Sequence, residues 1–116
     1  MILSHMDKQS ASLDGLFQAL ADPTRRAVIG RLGRGAASVG DLSQPFDMAL
    51  PSFMKHLHVL EEAGLIRTWK EGRVRQCEID VMRLSAVNDW LEEQRTIWES
   101  RTDRLEKFVT DRSKTP

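Results

Sequence analysis

Residue types that define several other protein classes are scarce in this sequence of 116 residues. Its single cysteine, Cys77, excludes an internal disulfide and, without a second thiol nearby, the usual zinc-finger arrangements. No apolar run reaches the roughly 18 residues needed to span a membrane, and no signal sequence follows Met6. We therefore expect a soluble, cytoplasmic protein without membrane partners.

Motifs of catalysis and cofactor binding are also missing. The chain has no glycine-rich phosphate loop, no Ser/His/Asp set in a suitable context and no paired metal ligands. His56 and His58 are two residues apart on a predicted helix, so they point to different faces and suit a shared metal ion poorly. The sequence predicts neither an enzyme nor a cofactor site.

The charge of the chain is unevenly distributed. Lysine and arginine together number 17, as do aspartate and glutamate, so the net charge is zero. Residues 24–75, however, carry nine basic and five acidic residues, a net charge of +4. This central segment is where we expect a surface that faces phosphates.

The length fits one domain. Residues 1–6 end in Ser-His-Met, which is typical of an expression-vector remnant, and we exclude them from the fold. Residues 7–112 are predicted to form a single domain, and residues 113–116 a frayed tail.

Apolar spacing and capping residues predict four helices before residue 65. The first covers Leu13 to Leu20, and the second starts at Asp22-Pro23 and ends near residues 33–35. Ser38 is the expected N-cap of a short third helix, with Asp41 in the capping-box position. A fourth helix runs from about Leu50 to a stop at Gly64.

The remaining chain predicts a hairpin and a long helix. Two extended runs, residues 65–70 and 74–79, flank a tight turn at Glu71-Gly72-Arg73. Residues 80–111 lack glycine and proline and favour one long helix. The predicted fold is therefore mainly α with a small β-hairpin, in the order α-α-α-α-β-β-α, which is typical of a winged helix-turn-helix.

Residues 48–75 form the predicted DNA-reading segment, because helices three and four and the hairpin are the parts of such a fold that meet DNA. With Phe53, Leu57 and Leu60 facing the core, polar side chains near the start of the fourth helix are left for the groove: Ser52, Lys55 and His56. The hairpin cations are predicted to contact phosphates: Lys70, Arg73 and Arg75. The alternative for both sets is an ordinary solvated face.

Three segments in this order resemble the ArsR family of transcriptional repressors: Leu20 to Arg26, Lys55 to Ile66 and Glu71 to Arg73. The resemblance covers nearly the whole chain. It implies a dimeric winged helix-turn-helix repressor that binds a palindromic operator in double-stranded DNA, at its own promoter or beside adjacent genes, and is nucleoid-associated when bound.

The metal response of many family members does not transfer. Metal-sensing relatives carry a cysteine pair in the third helix, where this chain reads Ser38 to Ser43. Another common site uses carboxylates and histidines of the last helix, and all three histidines of this chain, His5, His56 and His58, lie elsewhere. The resemblance is therefore to a metal-independent subgroup. Met54 stands where the family often has a serine, which removes one hydroxyl contact to DNA.

The long last helix, at about residues 80–111, predicts a homodimer. Its apolar residues repeat every seven positions, as in a helix that packs on another: Leu84, Leu91, Trp98 and Leu105. A helix this long exceeds what a four-helix core can cover, so a second copy is the simplest partner. The alternative is that its tryptophans fill the core of the monomer.

Two rival functions stay open at this point. Cys77 is either an inert buried thiol or, if exposed and acidified beside Arg75, the centre of a thiol-redox switch. The winged helix could also serve protein-protein contact instead of DNA binding, since fold alone does not fix function. No short motif identifies an inducer, an operator sequence or the regulated genes.

Overall fold

The structure, a computed structural model, describes residues 13–113. The predicted vector remnant and the last three residues of the predicted tail lie outside this range. The elements are α1 (residues 13–20), α2 (Pro23–Leu32), β1 (Ala37–Ser38), α3 (Val39–Ser43), α4 (Leu50–Glu62), β2 (Ile66–Glu71), β3 (Val74–Ile79) and α5 (Val81–Ser113). The mainly α fold with its hairpin and long last helix is confirmed, and α5 includes Ser113, which the sequence had assigned to the tail.

The helices begin where capping chemistry predicts. Asp22 adopts an extended backbone and accepts a hydrogen bond from the backbone N–H of Arg25 at 3.0 Å, which caps α2. Ser38 caps α3 by accepting from the N–H of Asp41 at 3.1 Å. Gly64, with φ of 81°, ends the turn after α4, and the Arg83 side chain lies so close that a β-carbon there would sit 3.0 Å from its Nε.

The sheet has three strands in the order β1-β3-β2, all antiparallel. Strand β1 was not predicted, because its two residues form a strand only by pairing with Gln76 and Cys77 of β3. Strands β2 and β3 form the predicted hairpin, and its turn contains Gly72 with φ of 66°, a conformation that glycine adopts without strain.

The two faces of the hairpin differ in character. One face, called here the inner face, carries Ile66, Thr68, Lys70, Arg75, Cys77 and Ile79, as the register and the alternation of side chains require. Near the base of the hairpin this face is buried, since Ile66 and Cys77 belong to the core. Toward the tip the same face carries Lys70 and Arg75, which are exposed. The inner face thus leads from the core to the surface.

One hydrophobic core joins the helices to the hairpin. Phe53, Leu57 and Leu60 of α4 are buried in it, as the spacing predicts. Its other fully buried large side chains come from α1, α2 and the hairpin region: Leu16, Val28, Leu32, Leu65, Ile66 and Cys77. The core therefore fixes α4 against the hairpin, and so sets the relative position of the two elements that were predicted to meet DNA.

Helix α5 begins on the core and then leaves it. Asp80 caps it by accepting from the N–H of Arg83, and Leu84 and Val87 pack against the core. Trp90 still meets Phe17 of α1 edge to face, with ring centroids 5.5 Å apart. Beyond this point large apolar side chains stand in solvent, and Trp98 is 67% exposed. The alternative that the tryptophans of the last helix fill the core of the monomer is therefore wrong for Trp98.

Candidate nucleic-acid interface

The start of α4 presents the side chains that were predicted to enter a DNA groove. Pro51 lies in the first turn, and the backbone N–H of Phe53 donates to the carbonyl of Ala49 to close that turn. Ser52 and Lys55 are both exposed, because Phe53 and Leu57 take the core-facing positions. This leaves a hydroxyl and an ammonium group on the solvent side of the helix, near its N-terminal end.

His56 is placed differently from Ser52 and Lys55. Its side chain is 23% exposed, and its Nδ1 atom lies 3.1 Å from Nη1 of Arg25 and 3.7 Å from a carboxylate oxygen of Asp22. A guanidinium can only donate, so this contact is a hydrogen bond when Nδ1 of His56 carries no proton. His56 therefore links α4 to the corner between α1 and α2. Its contact with DNA stays a prediction.

Arg25 is the centre of that corner. Its Nε donates to the carbonyl of Ala19 at 2.7 Å and its Nη2 to the carbonyl of Gln18 at 3.1 Å. The Ala19 carbonyl lies at the end of α1, where carbonyls lack helical partners, and Arg25 supplies its hydrogen bond. The Gln18 carbonyl accepts from Arg25 in addition to the backbone N–H of Ala21, which lies 3.2 Å away. Sequence reasoning noted Arg25 within a recognised segment but gave it no role.

Contacts at the same corner lower the pKa of Asp22. The hydrogen bond from the Arg25 backbone N–H is the main cause that lowers the pKa of Asp22 below its usual value, and it outweighs the opposing effect of burial. The positive charge of Arg25, and that of His56 when its ring is protonated, lowers the pKa further. Asp22 is thus held as a carboxylate, the form that caps α2 and faces the His56 ring.

The hairpin presents the three predicted cations at its tip. Arg73 lies in the turn beside Gly72, and Lys70 and Arg75 lie directly opposite each other on the inner face. Like charges paired across two strands oppose folding. A phosphate bound between them would relieve this repulsion, so the pair suits an anion-binding surface.

Arg75 is bonded to the rest of the molecule. Its Nη1 donates to the hydroxyl of Thr68 at 2.9 Å, and that hydroxyl donates to the carboxylate of Glu61 near the end of α4. These side chains line a groove of about 350 Å³ between α4 and the hairpin, together with Met54, Leu57 and His58. Sequence reasoning missed this link, because Glu61 and Thr68 meet only through the packing of α4 on the hairpin.

Of the two environments considered for Cys77, buried and exposed, the structure shows the buried one. Its residue is fully inaccessible, on the central strand between Ala37 of β1 and Thr68 of β2. Burial raises the pKa of the Cys77 thiol, the Glu61 carboxylate adds to this, and Arg75 opposes it weakly. The redox-switch hypothesis required an exposed, acidified thiol, and in the structure that expectation is wrong.

The described residues give two further results. Between residues 13 and 113, no cluster of three or more histidine, cysteine, aspartate or glutamate side chains is arranged to hold a metal ion. No helix in this part of the chain has the length and apolar character needed to cross a membrane.

Comparisons with known proteins agree with this architecture. A sequence model described as a helix-turn-helix domain matches residues 20–68. An HTH-type transcriptional regulator of Mycobacterium tuberculosis is 38% identical over 76 residues, which cover 66% of this chain and 71% of that protein. The transcriptional repressor SdpR of Bacillus subtilis is 28% identical over 79 residues, which cover 68% of this chain and 88% of that protein.

A solved structure has a higher sequence identity to this chain than these two relatives. The crystal structure of an ArsR family transcriptional regulator superposes with a TM-score of 0.75 at 63% sequence identity, covering 78% of this chain and 94% of that one. These relatives are transcriptional regulators, which confirms that the chain is not an enzyme. It belongs to the ArsR family of winged helix-turn-helix transcriptional repressors and is a DNA-binding protein.

Proposed function

We propose that this protein is a homodimeric repressor that binds a palindromic operator, at its own promoter or beside adjacent genes, without a metal-sensing site. It would act on chromosomal DNA in the cytoplasm. The observation that carries the proposal is the Lys70–Arg75 pair, two like charges opposite each other on the hairpin beside α4. This arrangement costs stability in the free protein and is repaid by phosphate.

Each side chain has a proposed task. Ser52, Lys55 and His56, at the start of α4, contact base edges or the adjoining backbone, as the N-terminal residues of a recognition helix usually do. Lys70, Arg73 and Arg75 bind phosphates on either side of the groove. With Met54 exposed to about one third among them, one position of this surface offers a methyl and a thioether instead of a hydroxyl.

Loss of affinity with salt tests the DNA contacts. Genomic fragments retained by the protein would be sequenced, and a short duplex carrying the recovered site would be titrated at several salt concentrations. Lys55→Ala and Arg73→Ala should each weaken binding and reduce the slope of log affinity against log salt by about one. Arg95→Ala is the matched control: it removes one positive charge from α5, where Arg95 pairs with Glu92 and Glu99.

The salt titration also separates the rival function. A winged helix used for protein contact would retain no particular genomic fragment and would bind duplexes with a shallow salt dependence. An equal loss of affinity in Arg95→Ala and Arg73→Ala would likewise contradict the assigned phosphate contacts.

The homodimer rests on α5. Leu91, Trp98 and Leu105 are all more than half exposed and follow one another every seven residues, so they form one apolar row on the helix. Leu84, the first residue of the predicted row, packs against the core of its own chain as well. The row that remains for a second copy therefore begins at Leu91.

Light scattering after size exclusion tests this row. The protein should elute as a dimer, and Trp98→Glu should yield a monomer, because a buried carboxylate in the interface would be unpaired. Ser100→Glu is the control, since Ser100 lies about 200° around α5 from Trp98 and should leave the dimer intact. A monomeric wild-type protein would contradict the proposed assembly.

The absence of a metal response is proposed from the donor atoms. Segment Ser38 to Ser43 offers hydroxyls and one carboxylate where metal-sensing relatives have thiolates, and the only thiol, Cys77, is buried on the other side of β1. Zn²⁺ or arsenite added at saturating concentration should therefore leave operator affinity unchanged. Release of the DNA by either would overturn this part of the proposal.

A further inference from the structure

Two side chains of the hairpin meet because of its register. Thr68 pairs with Cys77 across the strands, so Arg75 is the diagonal neighbour of Thr68 on the inner face. Diagonal neighbours are about 7–8 Å apart at their α-carbons, a distance that a long arginine side chain can bridge. The 2.9 Å hydrogen bond from Arg75 to the Thr68 hydroxyl follows from this geometry.

Glu61 reaches the same hydroxyl from the other side. It lies near the C-terminal end of α4 and accepts a hydrogen bond from Thr68 Oγ1. A hydroxyl has one proton and two lone pairs, so Thr68 can accept from Arg75 and donate to Glu61 at the same time. The hydroxyl thereby separates a guanidinium from a carboxylate that would otherwise attract it directly.

We propose that Thr68 is a positioning residue for DNA binding, which holds the Arg75 guanidinium at the mouth of the groove between α4 and the hairpin and keeps it from a direct ion pair with Glu61. The proposal rests on the proposed phosphate contact of Arg75. It deepens that function by naming the residue that orients the contact.

Removing the hydroxyl has a defined consequence. Without it, no group bridges Arg75 and Glu61 by hydrogen bonds, and their opposite charges draw them together across the groove. An arginine held by a carboxylate is neutralised as a phosphate ligand. The loss therefore depends on Glu61, which separates the proposal from a general weakening of the hairpin.

The experiment compares DNA affinity among substitutions at the three positions. The probes are the duplex recovered from genomic selection and a scrambled duplex of equal length, each titrated over a range of salt. Thr68→Val, which keeps the shape and the strand preference, should lower affinity about three- to tenfold for both probes, with a salt slope smaller by about one. Thr68→Ser, which keeps the hydroxyl, should bind within about twofold of the wild-type protein.

Double substitutions show whether the loss of DNA affinity depends on Glu61 and on Arg75. In a Glu61→Gln protein, Thr68→Val should lower affinity far less than it does in the wild-type protein, because the competing carboxylate is gone. In an Arg75→Ala protein, Thr68→Val should have no further effect. Thermal unfolding of each variant, followed by circular dichroism, identifies any that lose the fold, and Glu61→Gln is at an exposed helix position that should tolerate the change.

The outcomes separate the proposal from the function on which it rests. If the wild-type protein binds neither probe, both the proposed DNA-binding function and the positioning role of Thr68 are wrong. Wild-type binding with an unaltered Thr68→Val protein would overturn the positioning role alone. The positioning role would also be overturned if Thr68→Val lowered DNA affinity equally in the wild-type and Arg75→Ala proteins, since the effect would then not depend on Arg75.

Discussion

Arg25 donates a hydrogen bond from Nη1 to Nδ1 of His56 across 31 residues of chain, at 3.1 Å. The same guanidinium holds the two carbonyls that end α1. One side chain therefore joins α1, α2 and the recognition helix α4. The orientation of α4 is set by this polar corner as well as by the apolar core beneath it.

Replacement of Arg25 should destabilise the whole domain. Arg25→Ala removes one hydrogen bond from each of the Gln18 and Ala19 carbonyls and from the His56 ring, and of these the Gln18 carbonyl keeps a bond from the Ala21 N–H. We expect a loss of about 2–3 kcal/mol in the free energy of unfolding measured with urea. Arg26→Ala, which removes a single hydrogen bond to the Leu20 carbonyl, should cost about 1 kcal/mol or less. Equal losses in the two variants would contradict the central role of Arg25.

Acid should weaken the corner at Asp22. Its pKa in the folded protein is below the ordinary value of 3.8, so folding favours the carboxylate. This stability is fully present above the ordinary pKa and is lost as the pH falls through the lower folded value. Asp22→Asn keeps an oxygen that can cap α2 but has no charge to titrate.

We therefore expect Asp22→Asn to be less stable than the wild-type protein at about pH 7, and the difference to shrink toward about pH 3. Urea unfolding at both pH values measures it. A difference that stays constant with pH would mean that the charge of Asp22 contributes nothing to the corner.

The thiol of Cys77 should be unreactive in the native protein. It is buried on the central strand and its pKa is raised, so few molecules carry the nucleophilic thiolate at neutral pH. A thiol reagent such as Ellman's should modify Cys77 slowly in buffer and at once in denaturant. Operator affinity should be the same before and after peroxide treatment, and a loss that Cys77→Ala abolishes would restore the redox hypothesis.

Lys70 should show opposite effects on stability and binding. Because it lies directly opposite Arg75, Lys70→Thr removes a like-charge pair from the hairpin and adds a residue that favours strands. We expect the free energy of unfolding to rise by about 0.2–1 kcal/mol while DNA affinity falls. Arg67→Thr on the opposite face of the hairpin is the control: it breaks the ion pair with Glu78 and should not weaken DNA binding.

Much of this fold could be predicted from local patterns. The caps at Asp22 and Ser38, the core spacing of α4 and the turn at Gly72 depend on residues within a few positions of one another. Such local signals can be read from the sequence alone. The hairpin bounds therefore agree with the prediction to within one residue at each end.

The features that were missed all depend on distant residues. Strand β1 exists only beside β3, the Arg25–His56 contact joins two helices, and the Glu61–Thr68 link joins a helix to a strand. The sequence assigned His56 to a DNA-facing set, since helical spacing predicts the direction of a side chain but not the groups that it contacts in the folded protein. Only tertiary packing supplies the partner.

The alternation along β3 ties two properties of the protein together. Cys77 fills the core and Arg75 reaches the surface from the same face, two residues apart. A slip of β3 by one residue against its neighbours would turn both to the wrong side at once, so the protein would lose its packing and its phosphate contact together. Removing one residue from each strand at the tip would instead shorten the reach of the wing and spare the core. Changes in the length of this wing that preserve the register therefore add or remove residues in matched pairs.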